Sequence, residues 1–463
     1  MRRMKTFRPY MPDQLLLLPA SIQEWLPEHH LARFVSEVVD ELDLSAIEDT
    51  YNEDRGYPPY HPRMMVKVLV YGYCTSTYSS RKLAEKLIDS VAYRYLGAGN
   101  QPDFRTISDF RKEHGVALAG LFEQVLKLCR KAGLVKLGRV AVDGTKIKAN
   151  ASKHKAMSYE RMVEKEAQLK REVRTLLERA AAVDRDEDER HGPGGRGDEL
   201  PAELARRENR LKKIREAKAA LEAEARTAAA QQAAAAQERQ VQRAREEVRR
   251  GRKFGGRGPH VPDVKAAKPA PTAQRNFTDP DSKIQKTSDG FIQGYNAQVA
   301  VDEHAQVIVA QHVTAAAPDV DQLKPAVAAI RRALRTKPQQ LVADAGYWSE
   351  ANVRHLEHQQ IEPFIAPGRI LHGTRLEPAP APRGRPPAHL TVKEQMQRTL
   401  RTQRGRKVYA RRKAIAEPPL GQIKHARGFR QFLRRGLIRV QQEWALICTA
   451  HNLLKLRPAW DRG

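Results

Sequence analysis

The sequence predicts an α/β domain with a mixed sheet, interrupted by a helical hairpin insertion and preceded by an all-α N-terminal domain. Three observations carry that expectation. Apolar residues recur at helical spacing up to about residue 135, and from Gly138 the pattern changes to the alternation of strands. A stretch rich in Glu, Arg, Lys, Ala and Gln, from Met157 to about Arg250, then separates one strand from the strands and helices that follow. The expected organisation is a helical domain over 1–135, the α/β domain over 136–156 and 272–463, a charged helical insertion over 157–250, and a Gly/Pro-rich linker over 251–271.

In the first part, Leu31, Phe34, Val35, Val38, Val39 and Leu42 mark one amphipathic helix, and Met64, Val68 and Leu69 a second. Gly56, Pro58, Pro59 and Pro62 separate them. Ser79 and Ser80 are placed to cap a helix running to Leu87, and Pro102-Asp103 precede another over Thr106–Lys112. Two short helices about a loop resemble a DNA-binding helical unit, with Arg81, Lys82, Arg105 and Arg111 as candidate DNA contacts.

The strand pattern begins with Arg139-Val-Ala-Val-Asp-Gly-Thr-Lys-Ile-Lys148. In the insertion, Met162, Leu169, Val173 and Leu176, then Leu204, Leu211, Ile214 and Leu221, stand at helical spacing on either side of a glycine- and proline-rich stretch at 191–201, which reads as an antiparallel hairpin. After the linker, Tyr295–Val301 and Gln306–Val313 form a strand hairpin. A helix over Asp321–Arg335, a strand Gln340–Ala343, a helix Ser349–His358, a strand Ile361–Ile365 and terminal helices follow.

Composition limits the function. No window approaches the 18 apolar residues of a spanning helix, and the Leu15–Leu18 run is cut by Pro19, so the protein is expected in the cytoplasm, without a membrane partner. Three widely spaced cysteines, Cys74, Cys129 and Cys448, suggest neither a disulfide framework nor a zinc knuckle. The chain carries 82 Lys+Arg against 55 Asp+Glu, a net +27, and a mean hydropathy of −0.64. Residues 401–463 alone hold sixteen Lys/Arg and three acids, a net +13, and there basic residues alternate with apolar ones. Such a folded basic surface suits a phosphate backbone, with Lys413, Arg427, Arg430, Arg434 and Arg435 as candidate contacts.

Two aspartates end apolar strands and precede small residues: Asp143 in Val140-Ala-Val-Asp-Gly-Thr145, and Asp344 in Leu341-Val-Ala-Asp-Ala-Gly-Tyr347. An apolar strand delivers its terminal carboxylate to the sheet edge, and Gly144 and Gly346 admit a close neighbour, as ligand sites in open α/β sheets require. The alternative for each is a capping role at the next turn. A third acid, Glu417, stands alone in a basic stretch, Tyr409-Ala-Arg-Arg-Lys-Ala-Ile-Ala-Glu417, with Lys424 seven residues on. At about 100° per residue, Lys413, Glu417 and Lys424 share a helical face, although Pro418 and Pro419 predict a helix start or kink there.

These residues together resemble the Asp-Asp-Glu triad of bacterial insertion-sequence transposases, whose catalytic domain is retroviral-integrase-like and ribonuclease-H-like. Pro58-Pro-Tyr-His-Pro62, Val70-Tyr-Gly-Tyr-Cys74, Ser79-Ser-Arg-Lys-Leu83 and Asp103-Phe-Arg-Thr-Ile-Ser-Asp-Phe-Arg111 are similar to the helical N-terminal domain of that group. Thr278-Asp-Pro-Asp-Ser282 and Gly294-Tyr-Asn-Ala297 are similar to its segments after the insertion. The group's third motif spaces Tyr, Arg, Glu and Lys so that, counted from Glu417, Lys424 fits while Lys413 takes the Arg position and Ala410 the Tyr position. Arg412 and Tyr409 each stand one residue early, a rotation of about 100° on a helix.

The resemblance implies a DNA transposase that binds the terminal inverted repeats of its element, cleaves DNA and joins it to target DNA, working as a homodimer or larger oligomer in the nucleoid. It implies a pair of divalent ions, Mg²⁺ or alternatively Mn²⁺, held by Asp143, Asp344 and Glu417, with Lys424 on a phosphate. A non-catalytic DNA-binding descendant and a metal-dependent nuclease without strand transfer are the alternatives.

Overall fold

The computed structural model describes residues 21–462 except 52–57, 192–201, 288–289, 369–380, 383, 385, 386 and 388. The Leu15–Leu18 run, Gly56 and most of the glycine- and proline-rich stretch between the insertion helices lie outside the described residues.

Among the described residues, seven helices come first: α1 (Leu31–Asp40), α2 (Ser45–Glu48), α3 (Pro62–Cys74), α4 (Ser80–Asp89), α5 (Val91–Leu96), α6 (Phe104–Glu113) and α7 (Gly115–Lys131). Asp103 caps α6 by accepting from the Thr106 amide at 2.7 Å, whereas Ser79 makes no side-chain cap to α4. The mixed sheet is built from β1 (Arg139–Lys148), β4 (Lys283–Thr287), β5 (Gly290–Asp302), β6 (Ile308–Thr314), β7 (Gln340–Ala343) and β8 (Glu362–Ile365), in the order β4-β5-β1-β7-β8 with β6 paired to β5. β1 is antiparallel to β5 and parallel to β7, and β7 is parallel to β8. Helix α10 (Leu323–Leu334) precedes β7, and α11 (Glu350–His358) connects β7 to β8.

Between β1 and the rest of the sheet lie a small pair of strands, β2 (Ala156–Ser158) and β3 (Gln274–Asn276), and two long helices, α8 (Tyr159–His191) and α9 (Ala202–Arg250). The expected apolar seam forms: Met162 and Leu169 pack with Leu211, Ile214, Ala217 and Leu221 in a core of their own.

Three helices close the chain: α12 (Val392–Arg401), α13 (Gln403–Gly421) and α14 (Leu437–Trp460), with a π-helical turn over Gln422–Ala426. The middle of α14, residues 443–453, is buried on every side because it is packed between α3, α7 and β6; Trp444, Ile447, Cys448 and Asn452 are all inaccessible. Asn452 bonds both the amide and the carbonyl of Ile308 on β6. Cys74 and Cys129 point their thiols at carbonyls of the same helix, so all three cysteines are buried and free, as small apolar residues would be. One continuous core therefore joins the N-terminal helices to the sheet.

The proline pair does not interrupt α13. Pro418 has no amide proton for the carbonyl of Ala414, and the Gln306 side chain donates to that carbonyl instead, at 2.9 Å. The expected break appears later, as the π-helical turn.

Candidate active site

Strand β1 is inaccessible at Val140, Ala141 and Val142, and this apolar run fixes the register that presents Asp143. Val142 pairs in parallel with Ala343 of β7, so the next residue of each strand, Asp143 and Asp344, stands at the same level of the sheet. In each carboxylate, one oxygen is bound by backbone: Asp143 Oδ1 accepts from the Gly144 amide and Asp344 Oδ1 from the Gly346 amide, both at 2.8 Å. Asp344 thus does cap the short turn Ala345–Tyr347, and the capping reading holds alongside any other role.

Asp143 is held at an acidity far from that of a free carboxyl. Burial pushes its pKa up, to about 6, and the nearby Asp344 and Asp319 carboxylates push the same way, while Arg412 and the Gly144 amide oppose. Arg412 Nη1 lies 3.5 Å from Asp143 Oδ2. Tyr409, one helical turn before Arg412 on α13, senses both aspartates: burial raises its phenol, Arg412 lowers it, and Asp344 and Asp143 raise it.

The placement of Tyr409 and Arg412 corrects the expectation from motif spacing. Positions 405, 408, 412, 416 and 419 lie on the face of α13 that covers the sheet, and Ala416, one turn past Arg412, is fully buried. Lys413 falls on the outer side and is exposed. Glu417 is exposed as well and makes no hydrogen bond or ion pair among the described residues. Lys424 reaches in from the π-helical turn and donates to Thr145 Oγ1 at 3.0 Å, two residues along the strand from Asp143.

Asp319 is the acid that sequence reasoning missed. It precedes a 3-10 turn leading into α10, the position of an N-cap, yet its side chain caps nothing. It turns instead to β5, where Asn296 and Gln298 donate to its Oδ1 at 2.7 Å each and Lys146 approaches to 3.5 Å. The Gly-Tyr-Asn-Ala segment thereby connects to the site through its asparagine. The two glycines after the strand-end aspartates are close neighbours of this group. A Cβ on Gly144 would collide with the Gln298 amide and stand 3.0 Å from Asp319 Oδ1; one on Gly346 would stand 3.3 Å from Asp319 Oδ2. The close approach expected at both glycines is made by the protein's own side chains. Among the described residues, no three His, Cys, Asp or Glu are gathered so as to hold a metal ion.

Several candidate DNA-contact residues are not on the surface. Arg111 is buried and donates to Tyr73 Oη, the Tyr78 carbonyl and Ser80 Oγ. Arg427 is buried, its guanidinium donating to the Ile447 carbonyl and its own carbonyl accepting from the Tyr78 hydroxyl. Arg434 is half-buried against the Arg111 carbonyl and Gln442. These three support the seam between the N-terminal helices and α14; burial lowers the basicity of Arg427 and Arg434. Glu443, one of the three acids of the basic segment, is buried there too, accepting from the amides of Leu433 and Arg434. Arg81, Lys82, Arg105, Arg430 and Arg435 are exposed, with Arg81 and Arg105 both over the Phe104 ring.

Comparison with known families gives two matches. A transposase domain model (DUF772) matches residues 20–113, and a transposase DDE domain model matches residues 263–453; together they span more than half of the chain. Asp319, Asp344, Arg412, Glu417 and Lys424 fall within the second match, and Asp143 lies before it, on the far side of α8 and α9. No curated protein and no solved structure matches significantly. With a transposase domain over its N-terminal helices and a DDE domain over most of its sheet and final helices, the chain belongs to the insertion-sequence DDE transposases.

Proposed function

We propose that the protein binds the terminal inverted repeats of its insertion sequence and catalyses metal-dependent cleavage of DNA and transfer of the cut strand to target DNA, on a ribonuclease-H-like catalytic domain. The observation that carries this reading is the pair Asp143 and Asp344, brought level by parallel strands, each with one oxygen anchored by a backbone amide, and with the second oxygen of Asp143 facing Arg412 at 3.5 Å.

The donors suit a hard divalent cation, Mg²⁺ or Mn²⁺: they are carboxylate oxygens, and Asp143, its pKa raised first by burial and then by Asp344 and Asp319, is a carboxylate whose charge a bound cation would stabilise. Asp143 and Asp344 would hold the metal; Glu417, exposed on α13, would complete the set only by turning inward. Divalent ions in such a site activate the attacking oxygen and stabilise the leaving 3′ oxygen. The chain's own part is positional. Arg412 orients Asp143, Lys424 next to Thr145 offers a cation to a phosphate of the scissile strand, and the exposed Arg81, Lys82, Arg105, Arg430 and Arg435, with Lys413, contact duplex DNA. No described helix is long and apolar enough to cross a membrane. The working form is a homodimer or larger oligomer on DNA, in the nucleoid.

The test is an incubation of the purified protein with Mg²⁺, a duplex carrying the ends of its own element, and a target plasmid. The expected products are cut ends and joined molecules. Cut ends without joined molecules would support a nuclease instead, and cutting that persists in chelator would overturn the metal-dependent site.

A further inference from the structure

We propose that the far end of α9 and the loop that folds back on it, residues 239–257, form a basic knob that binds the phosphates of duplex DNA away from the carboxylate pair. The inference rests on the reading that the chain acts on DNA, and adds a place where the duplex is held outside the site of cutting.

Charge along the two long helices is the first observation. Residues 159–238 carry seventeen Lys/Arg and eighteen Asp/Glu, a net −1; residues 239–257 carry eight Lys/Arg and two Glu, a net +6 in 19 residues. A helical pair that served only as a spacer has no need of such a step.

The structure makes this end a defined object. Arg243 donates to the carbonyls of Phe254, Gly256 and Arg257, and Glu247 accepts from both Arg243 and the Phe254 amide. The Phe254 ring lies under Arg250 at 5.0 Å and under Arg243 at 5.6 Å. Helix end and glycine-rich loop are thus closed into one unit. Arg245, Arg249, Arg252 and Arg257 remain exposed on it, in no salt bridge among the described residues. Uncompensated cations this close repel one another, and a polyanion relieves the repulsion. A second copy of the same knob would increase it, which disfavours the exposed Val241 and Val248 as a contact between copies.

Reach is the third observation. Glu224 ties α9 to the body through Arg275 and, at 3.2 Å, Lys283. From there the helix runs to Arg250, which at 1.5 Å per residue is about 39 Å. The connection to α8 leaves β1 at the end beyond Asp143 and Thr145, the same end of the sheet as the carboxylates. An arm of that length spans about 12 base pairs of duplex at 3.4 Å per pair.

The experiment measures binding of the full chain to a labelled 40-base-pair duplex over a series of KCl concentrations. It uses wild type, a knob variant (R245A/R249A/R252A/R257A) and a control at the start of α9 that removes the same number of cations (R206A/R210A/K212A/K213A), with helicity checked by circular dichroism. The expected result for the knob variant is roughly tenfold or weaker binding near 100 mM salt and a salt slope about 3 smaller, with the control like wild type. A knob variant that binds as wild type, or a control that loses as much, overturns the knob while leaving DNA as the partner. No salt-dependent binding by wild type overturns both readings.

Discussion

Asp143 is the residue where packing and chemistry conflict. Its pKa is raised to about 6 in the folded chain, chiefly by burial, so without metal the folded state holds a proton that the unfolded chain releases near pH 4. The sign follows: the stability contribution of this group is fully present below about pH 4 and is lost as pH rises through about 6, an effect on the order of 2–3 kcal/mol at most. Asp143→Asn is therefore expected to raise the melting temperature of metal-free protein at pH 8 but not at pH 4; equal effects at both would contradict the burial of this carboxyl. Gly144→Ala is expected to cost about 1–3 kcal/mol, since its Cβ meets Gln298 and Asp319 together, and a melting curve like wild type would contradict that packing. Asp143 and Asp344 could be found in the sequence because three-residue apolar runs, Val140–Val142 and Leu341–Ala343, place them. Asp319 could not, because an acid just ahead of a helix has the signature of a cap, and only the tertiary position of Asn296 and Gln298 turns it toward the site.

Helix α13 is the element on which motif spacing and geometry part. Counting from Glu417 put Lys413 in the place of the supporting arginine, but the face of a helix is set by what it buries. Val408, Ile415, Ala416 and Pro419 face the sheet, and they carry Tyr409 and Arg412 to the aspartates. Continuity through two prolines depends on a neighbour, Gln306, whose side chain bonds the carbonyl that Pro418 leaves without a donor. Gln306→Ala is expected to destabilise the protein by about 1 kcal/mol and to lower the rate of cutting by shifting Lys424 from Thr145. A variant with unchanged melting and unchanged rate would show that α13 needs no such support. Long periodic segments, including α8 and α9, were legible because many residues repeat one pattern; the course of the chain past Pro418-Pro419 was not, because the compensating donor is more than a hundred residues away.

At the scale of the whole molecule, net charge is a poor guide to which cations meet DNA. The C-terminal segment looks uniformly basic in sequence, yet Arg427 and Arg434, with Arg111 from α6, are consumed in holding the N-terminal helices against α14 around the buried Glu443. Burial raises the Glu443 carboxyl, and one of its oxygens has no hydrogen-bond partner among the described residues. Alternation of basic and apolar residues marked a folded surface correctly but could not say which side faced inward. Arg111→Ala is expected to cost about 2–4 kcal/mol by leaving Glu443 and the Tyr78 carbonyl without its charge, with little effect on DNA affinity per folded molecule, whereas Arg81→Ala is expected to weaken DNA binding without lowering the melting temperature. The reverse pattern would mean that the seam is not the stabilising junction described.

The proposed chemistry rests on the aspartate pair at the ends of β1 and β7. The most direct measurement is Mg²⁺-dependent cutting of a duplex bearing the element's ends by wild type, Asp143→Asn and Asp344→Asn, with DNA binding followed in parallel. Both variants are expected to bind DNA as wild type does and to cut at least about a thousandfold more slowly, as loss of an electrostatic group at a reacting centre requires. Cutting at the wild-type rate by either variant would contradict the site.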